Sequence, residues 1–157
     1  MDNARWLSDA EQCVWRRYLE ATGLVNDELE RQLQRDSDLP HAYYEVLVGL
    51  SEAPDRTLRM SELADRSRSS RSRMSHAVAR LEQAGLVERK GCPSDKRGAF
   101  AVLTEKGFAA LVDAAPGHVN AVRETLFDVL TPTQVQQLGE ITSAIIEGRR
   151  RRTAEQA

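Results

Sequence analysis

The 157-residue chain combines 41% hydrophobic and 29% charged residues with a formal net charge of −2, which excludes both a disordered chain and a membrane-embedded one and indicates about one domain. No apolar run approaches the roughly 20 residues that a spanning helix needs, and the opening residues, with Asp2, Arg5 and Asp9 and no apolar stretch, predict no secretory leader and a cytoplasmic address. The two cysteines, Cys13 and Cys92, lie outside any paired spacing and the three histidines at 41, 76 and 118 are scattered, so neither a disulfide framework nor a metal site is expected.

Ser8-Asp9-Ala10-Glu11 has the form of a capping box and predicts one long helix over 8–35, with Val14, Tyr18, Val25, Leu29 and Leu33 near the helical period. Leu39-Pro40 breaks it. A second helix over 41–53 carries Tyr43, Tyr44, Val46, Leu47, Val48 and Leu50, is apolar around most of its surface, and belongs at the centre of a core. A loop containing Pro54 then leads to a short third helix, capped by Ser61 and ending near Arg66.

The fourth helix is expected over 70–84, with Gly85 as its stop. Met74, Ala77, Val78 and Leu81 fall at i, i+3, i+4 and i+7 and form one narrow buried stripe. Ser72, His76, Ala79 and Gln83 point the opposite way, with Arg73, Ser75 and Arg80 on the flanks. Two apolar runs follow, over 86–89 and 99–103, with the basic tip Ser94-Asp95-Lys96-Arg97-Gly98 between them, and they read as a two-stranded hairpin.

A helix over 105–115 is interrupted or kinked at Pro116-Gly117, and the pattern resumes at Val119, Val122, Leu126 and Val129. Thr131-Pro132 starts a last helix with Val135, Leu138, Ile141 and Ile145 on its stripe, and the polar end from Arg149 onward is expected to fray. The fold class is therefore mainly α with a small β-wing: a winged helix-turn-helix over 41–104 inside a single 157-residue domain. The flanking helices, over 8–35 and 105–150, carry apolar stripes that a small domain would struggle to cover, so they are expected to build a symmetric homodimer.

An acidic chain is an unusual carrier for a DNA-binding outline, but its charge is unevenly placed. From Arg59 to Arg97 ten Lys and Arg residues face five Asp and Glu, giving +5, which leaves −7 for the remainder. A basic face on an acidic scaffold is the expected result. On the outward face of the fourth helix, Arg side chains suit bidentate bonds to guanine, Ser and His donate or accept, and a small Ala79 allows close approach to base edges. Ser61, near a helix N-terminus, is a candidate phosphate contact. Arg97 at the hairpin tip is expected in the minor groove, with Asp95 accepting its hydrogen bonds and fixing its direction.

These residues carry a resemblance. Met60-Ser-Glu-Leu-Ala64, Ser70-Arg-Ser72 with Arg80-Leu-Glu82, Gly85-Leu-Val-Glu-Arg89, and Asp95-Lys-Arg-Gly98 before Val102-Leu-Thr-Glu-Lys-Gly107 together resemble the MarR family of winged helix-turn-helix transcriptional regulators over nearly the whole chain. The resemblance implies a triangular homodimer with interlocked terminal helices that binds an inverted-repeat operator in double-stranded DNA, usually as a repressor released by a small aromatic ligand. By position, Ser70, Arg71, Ser72, Arg73, Ser75 and His76 match the family's recognition-helix contacts, and Asp95 and Arg97 match its wing pair, with Lys96 between them. Arg73 stands where relatives often carry a small residue and His76 where they often carry Arg, so base preference does not transfer.

The family's effector pocket lies between dimer helices and DNA-binding lobe, and Trp15, Tyr18, Tyr43 and Tyr44 are its candidate lining in this chain. One branch of the family senses peroxides through a cysteine in the first helix, which makes Cys13 the candidate for a redox-sensing alternative. A second alternative is a winged-helix module that binds protein instead of DNA. No nucleophile–base pair, paired carboxylates, phosphate loop or metal constellation appears at a recognisable spacing, so neither an enzyme nor a cofactor is expected.

Overall fold

In a computed structural model, residues 4–92 and 95–155 are described, without the side chains of 92 and 95–97. The first helix starts where its cap dictates. Ser8 Oγ accepts from the Glu11 amide at 3.3 Å while the Glu11 carboxylate accepts from the Ser8 amide at 2.8 Å, and α1 spans Asp9–Ser37 behind this box. Only its last part is covered: Leu29, Gln32 and Leu33 are buried, whereas Val14, Trp15, Tyr18 and Leu24 stay exposed.

The second helix, α2 (His41–Ser51), buries Tyr44, Val46, Leu47 and Leu50, as an all-round apolar helix should. A single turn at Pro54–Arg56 leads into β1 (Thr57–Arg59), α3 (Met60–Arg66), α4 (Arg71–Gln83), β2 (Val87–Cys92) and β3 (Asp95–Leu103). The sheet is antiparallel in the order β1-β3-β2, with Leu58 opposite Ala101 and Val87 opposite Leu103. The expected two-stranded hairpin thus becomes a three-stranded sheet. Strand β1 has three residues, too few to show an alternating pattern, and it owes its conformation to pairing with β3. Leu33, Leu47, Leu50, Leu63, Val78, Leu81 and Val87 are nearly inaccessible and form one core beneath helices and sheet.

Two features of the C-terminal half depart from expectation. The helix after the sheet, α5 (Glu105–Val122), is not interrupted at Pro116-Gly117 but continues through it. Gly117 lies against α1, where an added Cβ would stand 3.0 Å from Gln32 Nε2, so the Pro-Gly pair permits close helix packing instead of ending the helix. A π-helical turn at Arg123–Phe127 closes α5. The last helix begins as expected, with Thr131 Oγ1 accepting from the Gln134 amide at 3.3 Å and Gln134 Oε1 accepting from the Thr131 amide at 2.9 Å. It then continues as α6 (Pro132–Glu155) through the arginines expected to fray, and none of its described residues is buried. Among the described residues no helix is long and apolar enough to cross a membrane.

Candidate nucleic-acid interface

The start of α4 is set by Ser70, whose backbone is extended and whose Oγ accepts from the Arg73 amide at 3.2 Å. Met74, Ala77, Val78 and Leu81 are buried as their spacing dictates. That burial turns Arg71, Ser72, Arg73, Ser75 and His76 to solvent, all of them exposed, with Ala79 half-covered. Among the described residues neither Arg71 nor Arg73 has a hydrogen-bond or ion-pair partner for its side chain within the chain. The expected face is therefore formed, cationic, and free to engage a partner.

Ser61 does not cap α3. The cap position falls on Arg59, which makes no side-chain cap bond, and Ser61 is the second residue of the helix, with its side chain exposed. Between α3 and α4 the chain turns through Arg68 in the left-handed region at φ 48°, while the Ser69 amide bonds the Ala64 carbonyl at 2.9 Å. The left-handed residue of this turn is thus an arginine instead of a glycine.

The far end of α4 is fastened by residues of the Gly85-Leu-Val-Glu-Arg89 and Leu103-Thr-Glu-Lys-Gly107 segments. Gly85 takes φ 73°, and the Leu86 amide returns to the Leu81 carbonyl at 2.9 Å. Thr104 Oγ1 donates to the Gly85 carbonyl at 2.8 Å and also accepts from the Gly107 amide at 2.9 Å, so one hydroxyl closes α4 and caps α5. Lys106 Nζ bonds the Ala84 carbonyl at 2.7 Å, a cation at a helix C-terminus. A Cβ on Gly107 would collide with the Leu86 carbonyl oxygen, which explains why glycine closes Leu-Thr-Glu-Lys-Gly.

Glu82 accepts from both the backbone amide of Arg89, at 3.1 Å, and its guanidinium, at 2.7 Å, tying α4 to β2. These bonds from Arg89 hold the Glu82 carboxyl below its ordinary range. The clue in the sequence is a lone carboxylate on an otherwise cationic helix, seven residues before an arginine. In the sheet, the Arg59 guanidinium lies 5.3 Å from the centre of the Phe100 ring. The side chains of Asp95, Lys96 and Arg97, on which the wing expectation rests, lie outside the described residues; their backbone forms the start of β3.

The four aromatic candidates do not share a pocket. Trp15 and Tyr18 stack 6.0 Å apart and border an apolar groove between α1 and α6, completed by Leu7, Val14, Ile141 and Ile145. Tyr43 borders a cavity of about 270 Å³ beside Leu39 and Leu86. Tyr44 is buried against His118, 4.5 Å between ring centres, with His41 5.5 Å from His118, at a cleft of about 600 Å³ between α2 and α5. Here His118 Nδ1 is buried with no described partner. Burial first, and the neighbouring His41 second, hold the His118 imidazole below its ordinary pKa, and burial raises that of the Tyr44 phenol. Neither His41 nor His118 was singled out from the sequence, because α1, α2 and α5 meet only in the fold. Cys13 is exposed on α1, and among the described residues no group of three His, Cys, Asp or Glu side chains is placed to hold a metal.

Residues 37–98 match the model of the MarR family. The MarR family transcriptional regulator Sco3205 from Streptomyces coelicolor, solved in complex with DNA, is 57% identical and superposes with a TM-score of 0.88, covering 94% of this chain and 92% of that one. AbsC, a MarR family transcriptional regulator from the same organism, is 44% identical with a TM-score of 0.86, over 94% of this chain and 99% of that one. The transcriptional repressor YetL of Bacillus subtilis is 31% identical over 106 residues, 66% of this chain and 64% of that protein. The match in sequence and fold extends from α1 to α6, and the chain belongs to the MarR family of transcriptional regulators.

Proposed function

We propose that this regulator binds an inverted-repeat operator as a homodimer, acts as a cytoplasmic repressor, and is released by a small aromatic effector. The single observation that carries the DNA reading is the exposed face of α4: Arg71, Ser72, Arg73, Ser75 and His76 stand free on a helix whose opposite stripe is buried and whose two ends are hydrogen-bonded in place. A helix so presented fits the major groove, where Arg bonds guanine bidentately. Ser70 is occupied in capping, so its further contact with DNA is through the phosphates near the helix N-terminus. The hairpin of β2 and β3 is assigned to the minor groove, with Lys96 and Arg97 of its sequence supplying the positive charge.

The DNA-bound state of the Sco3205 relative supports this reading, and the name of YetL supports repression. Exposed apolar side chains support the dimer. Trp6 is 87% exposed, and Val14, Trp15, Ile141 and Ile145 are each more than half exposed, a surface that water alone does not stabilise. Residues 8–35 and 105–150 are accordingly assigned to dimerisation and 41–104 to the DNA-binding lobe. For the effector, the Tyr44–His118–His41 cleft is the best-supported location, since ring faces and an unpartnered imidazole nitrogen meet there between the two lobes.

The test is a fluorescence-anisotropy titration with operator fragments selected from genomic DNA. Arg71→Ala and Arg73→Ala are each expected to weaken specific binding by about 1–3 kcal/mol. Unchanged affinity in both variants overturns the assignment of α4.

A further inference from the structure

Five arginines from two distant parts of the chain converge on one cleft. Arg66 and Arg68 come from the end of α3 and the turn before α4; Arg149, Arg150 and Arg152 come from the last turns of α6. The cleft measures about 870 Å³, and among the described residues Asp65 is the one carboxylate on its lining. Arg66 is paired with Glu62 at 3.0 Å. Among the described residues, no hydrogen bond or ion pair engages the guanidinium groups of Arg68, Arg149, Arg150 and Arg152, whereas Arg151, turned elsewhere, pairs with Glu147 at 3.5 Å.

Gathering like charges costs free energy unless an anion offsets it. Guanidinium groups bind phosphate and carboxylate oxygens in bidentate pairs, and several on one cleft call for several anionic groups. Another part of the lining has a different character. Ile146 and Ala154, with Ile145, which also borders the groove between α1 and α6, offer apolar surface beside the charge. A duplex backbone presents charge on a convex surface with no apolar body to cover that part. A compact molecule with both parts fits it, and the volume lies within the usual range for small-molecule sites.

We propose that this cleft binds a small polyphosphate that carries an apolar ring, a nucleoside di- or triphosphate in chemical class. The phosphates lie between Arg68 and the Arg149–Arg150–Arg152 group, and the ring lies on Ile146 and Ala154. Because Arg68 is two residues before the Ser70 cap, an occupied cleft ties the start of α4 to α6; this consequence for DNA rests on the proposed DNA-binding role of α4, but the binding itself does not.

Isothermal titration calorimetry of the full chain with ATP and with inorganic pyrophosphate tests it. The expected result is saturable ATP binding, at least about tenfold tighter than pyrophosphate, and weakened about tenfold or more by Arg68→Ala and by Arg149→Ala with Arg150→Ala. Arg16→Ala, a surface arginine elsewhere, is expected to leave it unchanged, and circular dichroism confirms that each variant is folded. No saturable binding up to about 5 mM ATP, equal affinity for the two probes, or equal loss in Arg16→Ala overturns the proposal. So does a result in which the Arg149 and Arg150 substitutions lower only the salt-dependent affinity for random duplex DNA, which assigns the cluster to the DNA backbone. Operator binding by the wild-type chain is measured in parallel, so failure of the cleft and failure of the DNA reading give separate signatures.

Discussion

Gly107 shows how much one atom decides at the junction of the sheet and α5. Its amide caps onto Thr104 while its missing Cβ leaves room for the Leu86 carbonyl oxygen and for Leu103 Cδ1, which would stand 2.8 Å away. The neighbour on the crowded side is backbone, which does not yield as a side-chain tip does. Gly107→Ala is expected to destabilise the fold by about 1–3 kcal/mol, although alanine is the better helix former. A urea denaturation midpoint equal to that of the wild type contradicts this role for the glycine.

His118 makes the second argument at this scale. Burial and His41 hold its imidazole below the ordinary range, so on acidification the unfolded chain takes up the proton first. The stability this group contributes is complete above the ordinary imidazole value of about 6.5 and declines as pH falls through it toward the lower folded value. Thermal unfolding followed from about pH 7.5 to 5.5 is expected to show a shallower fall in midpoint for His118→Gln than for the wild type. Parallel curves exclude the imidazole as the cause.

Among the elements, α4 is positioned by its ends as much as by its stripe. Thr104 closes its C-terminal turn and caps α5 with one hydroxyl, so Thr104→Val removes both functions without changing the side-chain shape. The expected cost is about 1–2 kcal/mol in chemical denaturation, and a loss below a few tenths assigns the positioning to Lys106 and Glu82 instead. The stripe Met74-Ala77-Val78-Leu81, the Ser8 and Thr131 caps and the Gly85 stop were all legible in the sequence, because each is a local pattern with a local physical cause.

Strand β1, the false cap at Ser61 and the unbroken course of α5 were not legible, since each depends on a partner distant in sequence. Pairing with β3 draws Thr57–Arg59 into the sheet and lets α3 begin at Met60, leaving Ser61 inside the helix. Contact with Gln32 of α1 gives Gly117 a packing role that no local rule anticipates. Of the candidate site, the α4 face was readable residue by residue. The grouping of the aromatic candidates was not, because aromatic type alone does not say which rings the fold brings together: Trp15 and Tyr18 face one groove, while Tyr44 meets two histidines in another place.

For the whole molecule, the uncovered apolar side chains of α1 and α6 call for a second chain to bury them. Replacing Trp15 or Ile141 by Glu places a charge on that surface and is expected to shift the mass measured by light scattering after size exclusion from dimer toward monomer, while the buried cluster around Leu47, Leu50 and Val78 is left untouched. An unchanged mass in both variants places the dimer contact elsewhere.

The central claim, that a basic face on an acidic chain holds DNA, is tested most directly by the salt dependence of duplex binding. Measured by fluorescence anisotropy, log affinity for the selected operator is expected to fall steeply with log salt concentration, with Arg73→Ala weakening the operator complex while random duplex retains a comparable slope. A slope near zero for wild-type protein on both duplexes contradicts the claim and identifies the α4 face as a surface for some other partner.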